Sequence, residues 1–352
     1  MKYPFHIILR KKLANFLNTF LSLFITKSSS QTTIDPKNIK TIVLIRPNYR
    51  IGNILFLTPL INELHTHLPE AKIDIIVGMK IAGEILKPMP NINKIIDIPR
   101  KLLLHPFDLI RYIKESREQE YDLAINVAGG STSAQIVMTL VRAKNKASFS
   151  DKKLWAHFTH IQERGKKKFL HMGLESLEFL RFFNIDIPNN EPSLDIKLTK
   201  EELQKAQKAL DTILKKHNLN KNNHKTIALF RNARFDKKIE DIWWKELIVE
   251  MKKIDNTLIF IDILSPDIPT KLDESVFEYA TKDLRELGAF FRVCDLFISA
   301  DTGPLHLAVA SGAKIAALFS KTEISIYGAL GKENKNIDIN NLSPKKVAQL
   351  IL

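Results

Sequence analysis

An alternation of short apolar runs with helical patterns fills the sequence from about residue 39 and limits the folds open to it. The apolar runs are rich in β-branched residues, as expected of parallel strands buried on both faces. We predict strands at 40–46, 72–77, 94–97 and 121–126, and then at 225–230, 257–263, 276–279, 295–299 and 314–319. We predict helices at 53–67, 81–87, 105–119, 131–141 and 171–183, and then at 200–216, 240–253, 283–294 and 303–311. This repeated βα order predicts an α/β protein with two similar halves.

A stretch with little periodicity separates the halves. Residues 184–198, NIDIPNNEPSLDIKL, contain two prolines and read as a domain boundary. We therefore predict a basic N-terminal segment and linker at 1–38, one α/β domain at 39–190 and a second at 191–352. Ser343 and Pro344 fit the N-cap and first position of a closing helix, a candidate for packing back on the first domain.

The first 30 residues carry basic side chains, no acidic ones, and apolar residues at the spacing of an amphipathic helix. The apolar positions are Leu9, Leu13, Phe16, Leu17, Phe20, Leu21 and Phe24. Asn15, Asn18 and Thr19 make this helix too polar to span a bilayer. Three interpretations remain: an interfacial helix on an anionic membrane, a helix packed on the protein itself, or a signal peptide without a clear cleavage site.

The net charge of +14 over 352 residues points to an anionic partner. Nucleic acid, an acidic membrane surface and a phosphorylated small molecule all carry suitable charge. The basic residues are not interleaved with aromatic ones in a known nucleic-acid module, so we expect no nucleic-acid partner. The single cysteine, Cys294, excludes an internal disulfide and a cysteine-rich zinc site, and its apolar surroundings predict a buried structural thiol.

The stretch SADTGPLHLA, at 299–308, is a predicted strand end, a turn with a glycine, and a helix that starts near Pro304. Free backbone N–H groups and the helix dipole would meet there, which favours binding of a phosphate or diphosphate. Thr302 could add a hydroxyl donor, and His306 lies in the first turn. The alternative is structural, with Asp301 as the N-cap and His306 as an ordinary helix residue.

A second basic stretch, RNARFDKKIEDIWWKEL, follows the strand predicted at 225–230. It places Arg231, Arg234, Lys237 and Lys238 at the carboxyl edge of the sheet, where open α/β sheets bind ligands. A lysine there could neutralise the charge of a departing phosphate. The alternative is a solvated basic loop.

The junction RPNYRIGNILFLTP, at 46–59, raises a chemical question. The carboxylate of an acidic residue could serve as a general base at such a strand–helix junction. This chain has Asn53 there, and its amide cannot take a proton. Asn53 is therefore either a changed catalytic residue or an N-cap before a helix that begins at Ile54.

Several motifs are missing from the sequence. It has no G-x-G-x-x-G, no P-loop, no H-E-x-x-H and no D-x-D. Their absence counts against a common dinucleotide oxidoreductase, a P-loop nucleotidase, a zinc peptidase and a carboxylate-held metal on a diphosphate.

Together these stretches resemble glycosyltransferase family 9, the ADP-heptose:lipopolysaccharide heptosyltransferases. The resemblance runs from about Lys40 to Leu330. It rests on IVLIRPNYRIGNILFLTPLINELHTHLPEAKIDIIV near the start and on DLRELGAFFRVCDLFISADTGPLHLAVASGAKIAALFS near the end. The second stretch, with D-T-G-P-x-H-L-A, is the more specific.

The resemblance implies a GT-B fold, in which two Rossmann-like domains hold the active site between them. It implies an inverting glycosyltransferase that needs no metal and no cofactor, because its nucleotide-sugar is a substrate. The expected donor is ADP-heptose, and the expected acceptor is a lipopolysaccharide core or a related anionic, lipid-linked saccharide. A cytoplasmic protein, peripheral on the inner face of the inner membrane, would suit the basic N-terminal segment.

The resemblance also implies roles for individual residues. On the donor side, Lys237 would contact the phosphates and Asp267 the adenosine. The D-T-G-x-x-H positions around the diphosphate and sugar are Asp301, Thr302, Gly303 and His306.

On the acceptor side, the resemblance implies contacts from Arg46, Arg50, Gly52 and Asn53, together with the basic loop predicted at 155–168. Asn53 departs from the family, which has Asp there as its proposed general base, and would instead orient the acceptor hydroxyl. The alternative function is a catalytically weak relative that binds nucleotide-sugar or glycan without turnover.

Overall fold

The computed structural model describes residues 33–47, 49–78, 80–98, 107, 111–112, 114–115, 117–129, 131–150, 158–164, 167–233 and 237–352. The predicted N-terminal amphipathic helix lies outside these residues, as do Arg234 and seven of the fifteen positions of the helix predicted at 105–119. Contacts divide the chain into two compact units. The first comprises Met1–Tyr49, Leu60–Lys168 and Ser176–Ile187, and the second comprises Arg50–Pro59, Phe169–Glu175 and Pro188–Leu352. This division differs from one cut near residue 190, because two early segments belong to the second unit.

The secondary structure alternates between parallel strands and helices. The strands are β1 Thr41–Arg46, β2 Lys72–Val77, β3 Ile92–Asp97, β4 Tyr121–Asn126, β5 Ala143–Phe149, β6 His160–Gln162, β7 Lys225–Phe230, β8 Leu258–Ile263, β9 Phe277–Tyr279, β10 Leu296–Ala300, β11 Ile315–Phe319 and β12 Lys335–Asp338. The α-helices are α1 Ile51–Leu55, α2 Thr58–His67, α3 Lys80–Leu86, α4 Thr132–Leu140, α5 Lys200–Lys216, α6 Asp241–Ile254, α7 Leu284–Val293, α8 Gly303–Ala310, α9 Ile324–Tyr327 and α10 Pro344–Ile351. Short 3-10 helices span Pro36–Asn38 and Glu175–Phe183.

The sheet of the first unit has the strand order β3-β2-β1-β4-β5-β6, with all pairs parallel. This is the doubly wound Rossmann order. Residues 42–45 of β1 are fully buried, as their continuous apolar run predicts. β5 was not predicted because polar side chains interrupt it: Lys144 pairs with Asp122, and the Lys146 ammonium donates to the last carbonyls of α4. The predicted loop at 155–168 is wrong in part, since β6 lies within it.

The helix predicted at 53–67 is in fact two helices, α1 and α2, separated by Phe56 and Leu57. α1 begins at Ile51 and its N-cap is Arg50, so the interpretation of Asn53 as an N-cap is wrong. The break is stabilised by the Thr58 hydroxyl, which donates to the Leu55 carbonyl at 2.8 Å. The predicted α-helix at 171–183 is a 3-10 helix that starts at Glu175.

The second unit repeats the same topology, with the strand order β12-β11-β10-β7-β8-β9. Its core centres on Trp244 and Phe260, which are fully buried. The closing helix α10 begins as predicted, because the Ser343 hydroxyl accepts from the Lys346 backbone N–H at 3.3 Å. Its buried side chains join this same core, so α10 packs against α6 within the second unit.

The strand order of each sheet reverses once, between β1 and β4 in the first unit and between β7 and β10 in the second. Open α/β sheets bind ligands beyond the carboxyl ends of the strands at this reversal. The residues that follow β7 and β10 are therefore candidates for a ligand-binding site. Among the described residues, no helix is long and apolar enough to cross a membrane.

Candidate functional site

A salt bridge occupies the strand reversal of the second unit. Lys237 follows β7, Asp301 follows β10, and the Lys237 ammonium lies 2.5 Å from the Asp301 carboxylate oxygen Oδ2. Asp301 is buried, whereas the Lys237 side chain is 31% exposed. The same Oδ2 atom accepts a hydrogen bond from the Thr322 hydroxyl at 2.6 Å. The site thus holds a reachable cation beside a carboxylate that accepts hydrogen bonds from two side chains.

Helix α8 starts directly beside this salt bridge. Its N-cap is Thr302 and its first residue is Gly303, so the interpretation of Asp301 as the N-cap is wrong. The Thr302 hydroxyl makes no capping bond and lies 3.2 Å from the Ser299 hydroxyl. The first N–H groups of a helix have no partner inside it, and the helix dipole is positive at this end. This end of α8 therefore favours an anion.

His306 lies one turn into α8 and is buried. Its Nε2 atom is 3.8 Å from Asp301 Oδ1, and its Nδ1 atom has no hydrogen-bond partner among the described residues. Burial lowers the pKa of His306 from 6.5 to about 4; nearby Asp301 opposes the shift, and His171 and Lys237 add to it. The imidazole is therefore neutral at pH 7.

Helix α1 packs against the start of α8 within the second unit. A methyl group on Gly52 would lie 2.8 Å from Cδ2 of His306, and one on Gly303 would lie 4.0 Å from the Gly52 backbone nitrogen. The Phe56 ring meets the His306 ring edge-on, with centroids 4.7 Å apart. Asn53, the next residue after Gly52, is half-buried. Gly52 allows the two helix starts to approach closely, because it has no side chain to meet His306.

A second buried histidine supports this arrangement. His171 lies in the segment Phe169–Glu175, which also belongs to the second unit. Its ring is 5.8 Å from that of Phe56. Its Nδ1 accepts from the Gly173 N–H at 3.0 Å, so Nε2 donates to the Gly328 carbonyl at 2.9 Å. Burial lowers the pKa of His171, partly offset by the bond to Gly328. His171 is thus a neutral anchor for the segment.

Arg231 does not belong to the anion site that the basic stretch suggested. Its guanidinium is buried, binds Asp262 through Nε and Nη2 and Asp241 through Nη1, and donates to the Thr270 carbonyl. These partners all belong to the second unit, so Arg231 contributes to the stability of the fold. Lys238 is exposed.

Asp267 lies away from the salt bridge, in the exposed loop after β8. The Asn232 amide donates to its carboxylate at 3.2 Å and to the Ser265 hydroxyl at 3.1 Å. These three polar residues stand past the ends of β7 and β8.

The acceptor-side residues of the prediction divide between the units. Arg46 lies in the first unit, buried at the end of β1, and its guanidinium donates to the Val127 carbonyl at 3.0 Å. Arg50, Gly52 and Asn53 belong to the second unit, where Arg50 is exposed. Cys294 is buried, as predicted, and burial raises its thiol pKa to about 12.

Three residues of this site were not predicted: Phe56, His171 and Thr322. Phe56 and His171 are distant in sequence from α8, and no local pattern joins them to it. Thr322 could have been predicted, because it follows the strand predicted at 314–319 and so lies at the same carboxyl edge of the sheet as Asp301.

A model of glycosyltransferase family 9 (heptosyltransferase) matches residues 109–351. Lipopolysaccharide heptosyltransferase 3 of Escherichia coli K12 is 26% identical over 286 residues, which cover 77% of this chain and 80% of that protein.

Two solved structures are similar in fold. E. coli heptosyltransferase WaaC with ADP has a TM-score of 0.69 at 18% identity and covers 88% of this chain and 98% of that one. A family 9 glycosyltransferase from Veillonella parvula has a TM-score of 0.69 at 17% identity and covers 87% of this chain and 86% of that one. The likeness confirms the predicted fold of two Rossmann-like units. Because the family model spans more than half of the chain, this protein belongs to glycosyltransferase family 9.

Proposed function

We propose that the second unit binds a nucleotide-diphospho-sugar, with its diphosphate at the start of α8 beside Lys237. The observation that carries this proposal is the position of the Lys237–Asp301 salt bridge at the strand reversal. The Lys237 ammonium is partly exposed, so a diphosphate can reach it. The N–H groups of α8 and the Thr302 hydroxyl supply further donors.

The reaction proposed is an inverting glycosyl transfer. An acceptor hydroxyl attacks the anomeric carbon and loses its proton to water, the bond to the diphosphate breaks, and the nucleoside diphosphate leaves with the electron pair. Lys237 and the α8 dipole stabilise the negative charge that develops on the leaving group. The chain has no D-x-D motif, so we propose that these groups act without a metal.

The donor and acceptor are proposed from the relatives. The name of lipopolysaccharide heptosyltransferase 3 indicates heptose transfer to lipopolysaccharide, and the structure of WaaC was solved with ADP. We therefore propose transfer of heptose from ADP-heptose to a lipopolysaccharide core or a related anionic glycan. Arg50 is proposed to contact that acceptor, and Asp267 the adenosine.

We further propose that the protein works at the cytoplasmic face of the inner membrane. The support is the basic, amphipathic pattern of residues 1–30 and the net charge of +14. Cosedimentation with vesicles rich in phosphatidylglycerol, but not with phosphatidylcholine vesicles, would support the proposal. Replacement of Leu17 by Asp should abolish this difference.

One observation favours a second candidate function. Asn53 stands where the family has its proposed base, and base catalysis contributes on the order of 10²–10⁴ in rate. A relative that binds ADP-heptose without turnover would have an intact donor site beside this amide. The donor side described above fits either candidate, so turnover must be measured.

The deciding experiment incubates the purified protein with ADP-heptose and a heptose-acceptor core oligosaccharide, with and without EDTA. Mass spectrometry should show addition of one heptose in both samples, and NMR should show an inverted anomeric centre. Binding of ADP-heptose without product would favour the second candidate. Loss of product in EDTA would contradict the metal-free reaction.

A further inference from the structure

Thr322 holds the carboxylate at the centre of the proposed donor site. Its hydroxyl donates to Asp301 Oδ2 at 2.6 Å, and the Lys237 ammonium reaches the same oxygen at 2.5 Å. The other oxygen, Oδ1, is 3.8 Å from His306 Nε2. Among the described residues, Asp301 Oδ2 thus has two close donors, of which Lys237 is charged and Thr322 is not.

The loop that carries Thr322 is itself fixed. It follows β11, which pairs directly with β10, the strand that ends next to Asp301. The Asn340 amide donates to the Ser320 carbonyl at 3.1 Å, and the Ile339 N–H donates to the Phe319 carbonyl at 2.9 Å. The Thr322 hydroxyl is therefore held in place independently of Lys237.

We propose that Thr322 is a positioning residue that keeps Asp301 in place when Lys237 turns from Asp301 to the donor diphosphate. This inference rests on the proposed function. Asp301 and a diphosphate compete for one ammonium group, and the diphosphate carries the greater charge. A buried carboxylate that loses a charged partner needs another hydrogen bond to stay in position. Thr322 supplies that bond.

Without the Thr322 hydroxyl, Lys237 would be the only close donor to Asp301 Oδ2 in the part of the chain that the structure describes. Binding of a diphosphate would then strip that oxygen of its last close donor. The penalty would appear as weaker binding of the nucleoside diphosphate. This loss of affinity would vanish in a protein without Lys237, because no ammonium group then leaves Asp301 for the diphosphate.

The test measures ADP binding by calorimetry in a thermodynamic cycle. Replacing Thr322 by Val removes the hydroxyl at nearly constant volume and should weaken ADP binding about tenfold, the factor for one hydrogen bond to a charged group. Thr322→Ser keeps the hydroxyl and should bind within about threefold of the wild type. Thr212→Val removes an exposed hydroxyl on α5 and should bind like the wild type.

The decisive comparison is made in Lys237→Met protein. There Thr322→Val should cause less than a twofold further loss of ADP affinity. Equal losses with and without Lys237, or a wild-type affinity in Thr322→Val, would overturn the proposal. If Thr322→Val does not fold, Thr322→Ala replaces it in the same cycle. Wild-type protein that does not bind ADP would instead refute the proposed function, and this inference with it.

Discussion

The ammonium of Lys237 and the carboxylate of Asp301 join the loops that follow β7 and β10, the two strands between which the sheet order reverses. A cation and an anion thus stand together at the edge where this topology binds ligands. The basic residue six positions earlier, Arg231, has a different role, because it is buried with Asp262. Neighbouring charges in one sequence stretch therefore lie in different environments, and we propose that Lys237 serves binding whereas Arg231 serves stability.

The first prediction separates these two roles. Replacing Arg231 by Met should lower the free energy of unfolding by roughly 3–5 kcal/mol, because it leaves the Asp262 carboxylate buried without its cation. Replacing the exposed Lys238 by Met should change it by less than about 0.5 kcal/mol. Urea denaturation followed by circular dichroism gives both values. Equal stability of the two variants would contradict the structural role of Arg231.

The second prediction concerns the close approach of α1 and α8. A methyl group on Gly52 would meet His306 at 2.8 Å, so Gly52→Ala should cost about 1–3 kcal/mol through forced repacking. A methyl group on Gly303 meets ordinary contacts at 3.6 Å and beyond, so Gly303→Ala should be neutral or slightly stabilising. Thermal unfolding compares them. A Gly52→Ala protein as stable as Gly303→Ala would show that the two helices do not pack in this way.

The third prediction is a pH dependence. Because the folded pKa of His306 is about 4 and its ordinary value is 6.5, the unfolded chain binds the extra proton between these values. Stability should therefore fall as the pH drops from 6.5 to 4, by up to about 1.4 kcal/mol per pH unit for one proton. His171 acts in the same direction, since its pKa is also lowered.

Melting temperatures measured across this pH range test the assignment. His306→Leu should flatten the dependence, whereas His67→Leu, which removes an exposed histidine, should leave it unchanged. A wild-type protein whose melting temperature does not change from pH 6.5 to 4 would argue against a buried neutral His306.

The fourth prediction concerns Asn53. An Asp at this position would offer the carboxylate that the family's proposed base requires, so Asn53→Asp should raise the turnover number of heptose transfer about tenfold or more. Asn222→Asp adds the same charge at an exposed position near the other end of β7 and should leave turnover unchanged. A lower turnover in Asn53→Asp would mean that the amide serves this enzyme's own reaction.

The strands that the sequence predicted best are buried along most or all of their length, and each contains an apolar run. β2, β4 and β7 were predicted with the bounds that the structure has. β12 reads Lys335–Asp338, with one buried residue, and lies at the edge of its sheet. A short edge strand forms by hydrogen bonding to its neighbour, here β11, and no local sequence pattern reveals that pairing.

The candidate site shows the same limit. Glycine and proline marked the start of α8, and the fold placed Asp301 and Lys237 at one edge of the sheet. Whether a charge is buried depends on partners far away in sequence, as with Arg231 and Asp262. The packing of Gly52 on His306 joins positions from opposite ends of the chain, and the sequence alone assigned them to different domains.

The most direct test of this account is calorimetric titration of the wild-type, Lys237→Met and Lys238→Met proteins with ADP. The wild type and Lys238→Met should bind ADP with the same affinity. Lys237→Met should bind at least about tenfold more weakly, because it loses the charge-assisted contact to the diphosphate. Equal affinity in Lys237→Met and the wild type, or no binding of ADP by the wild type, would contradict a donor site at the Lys237–Asp301 salt bridge.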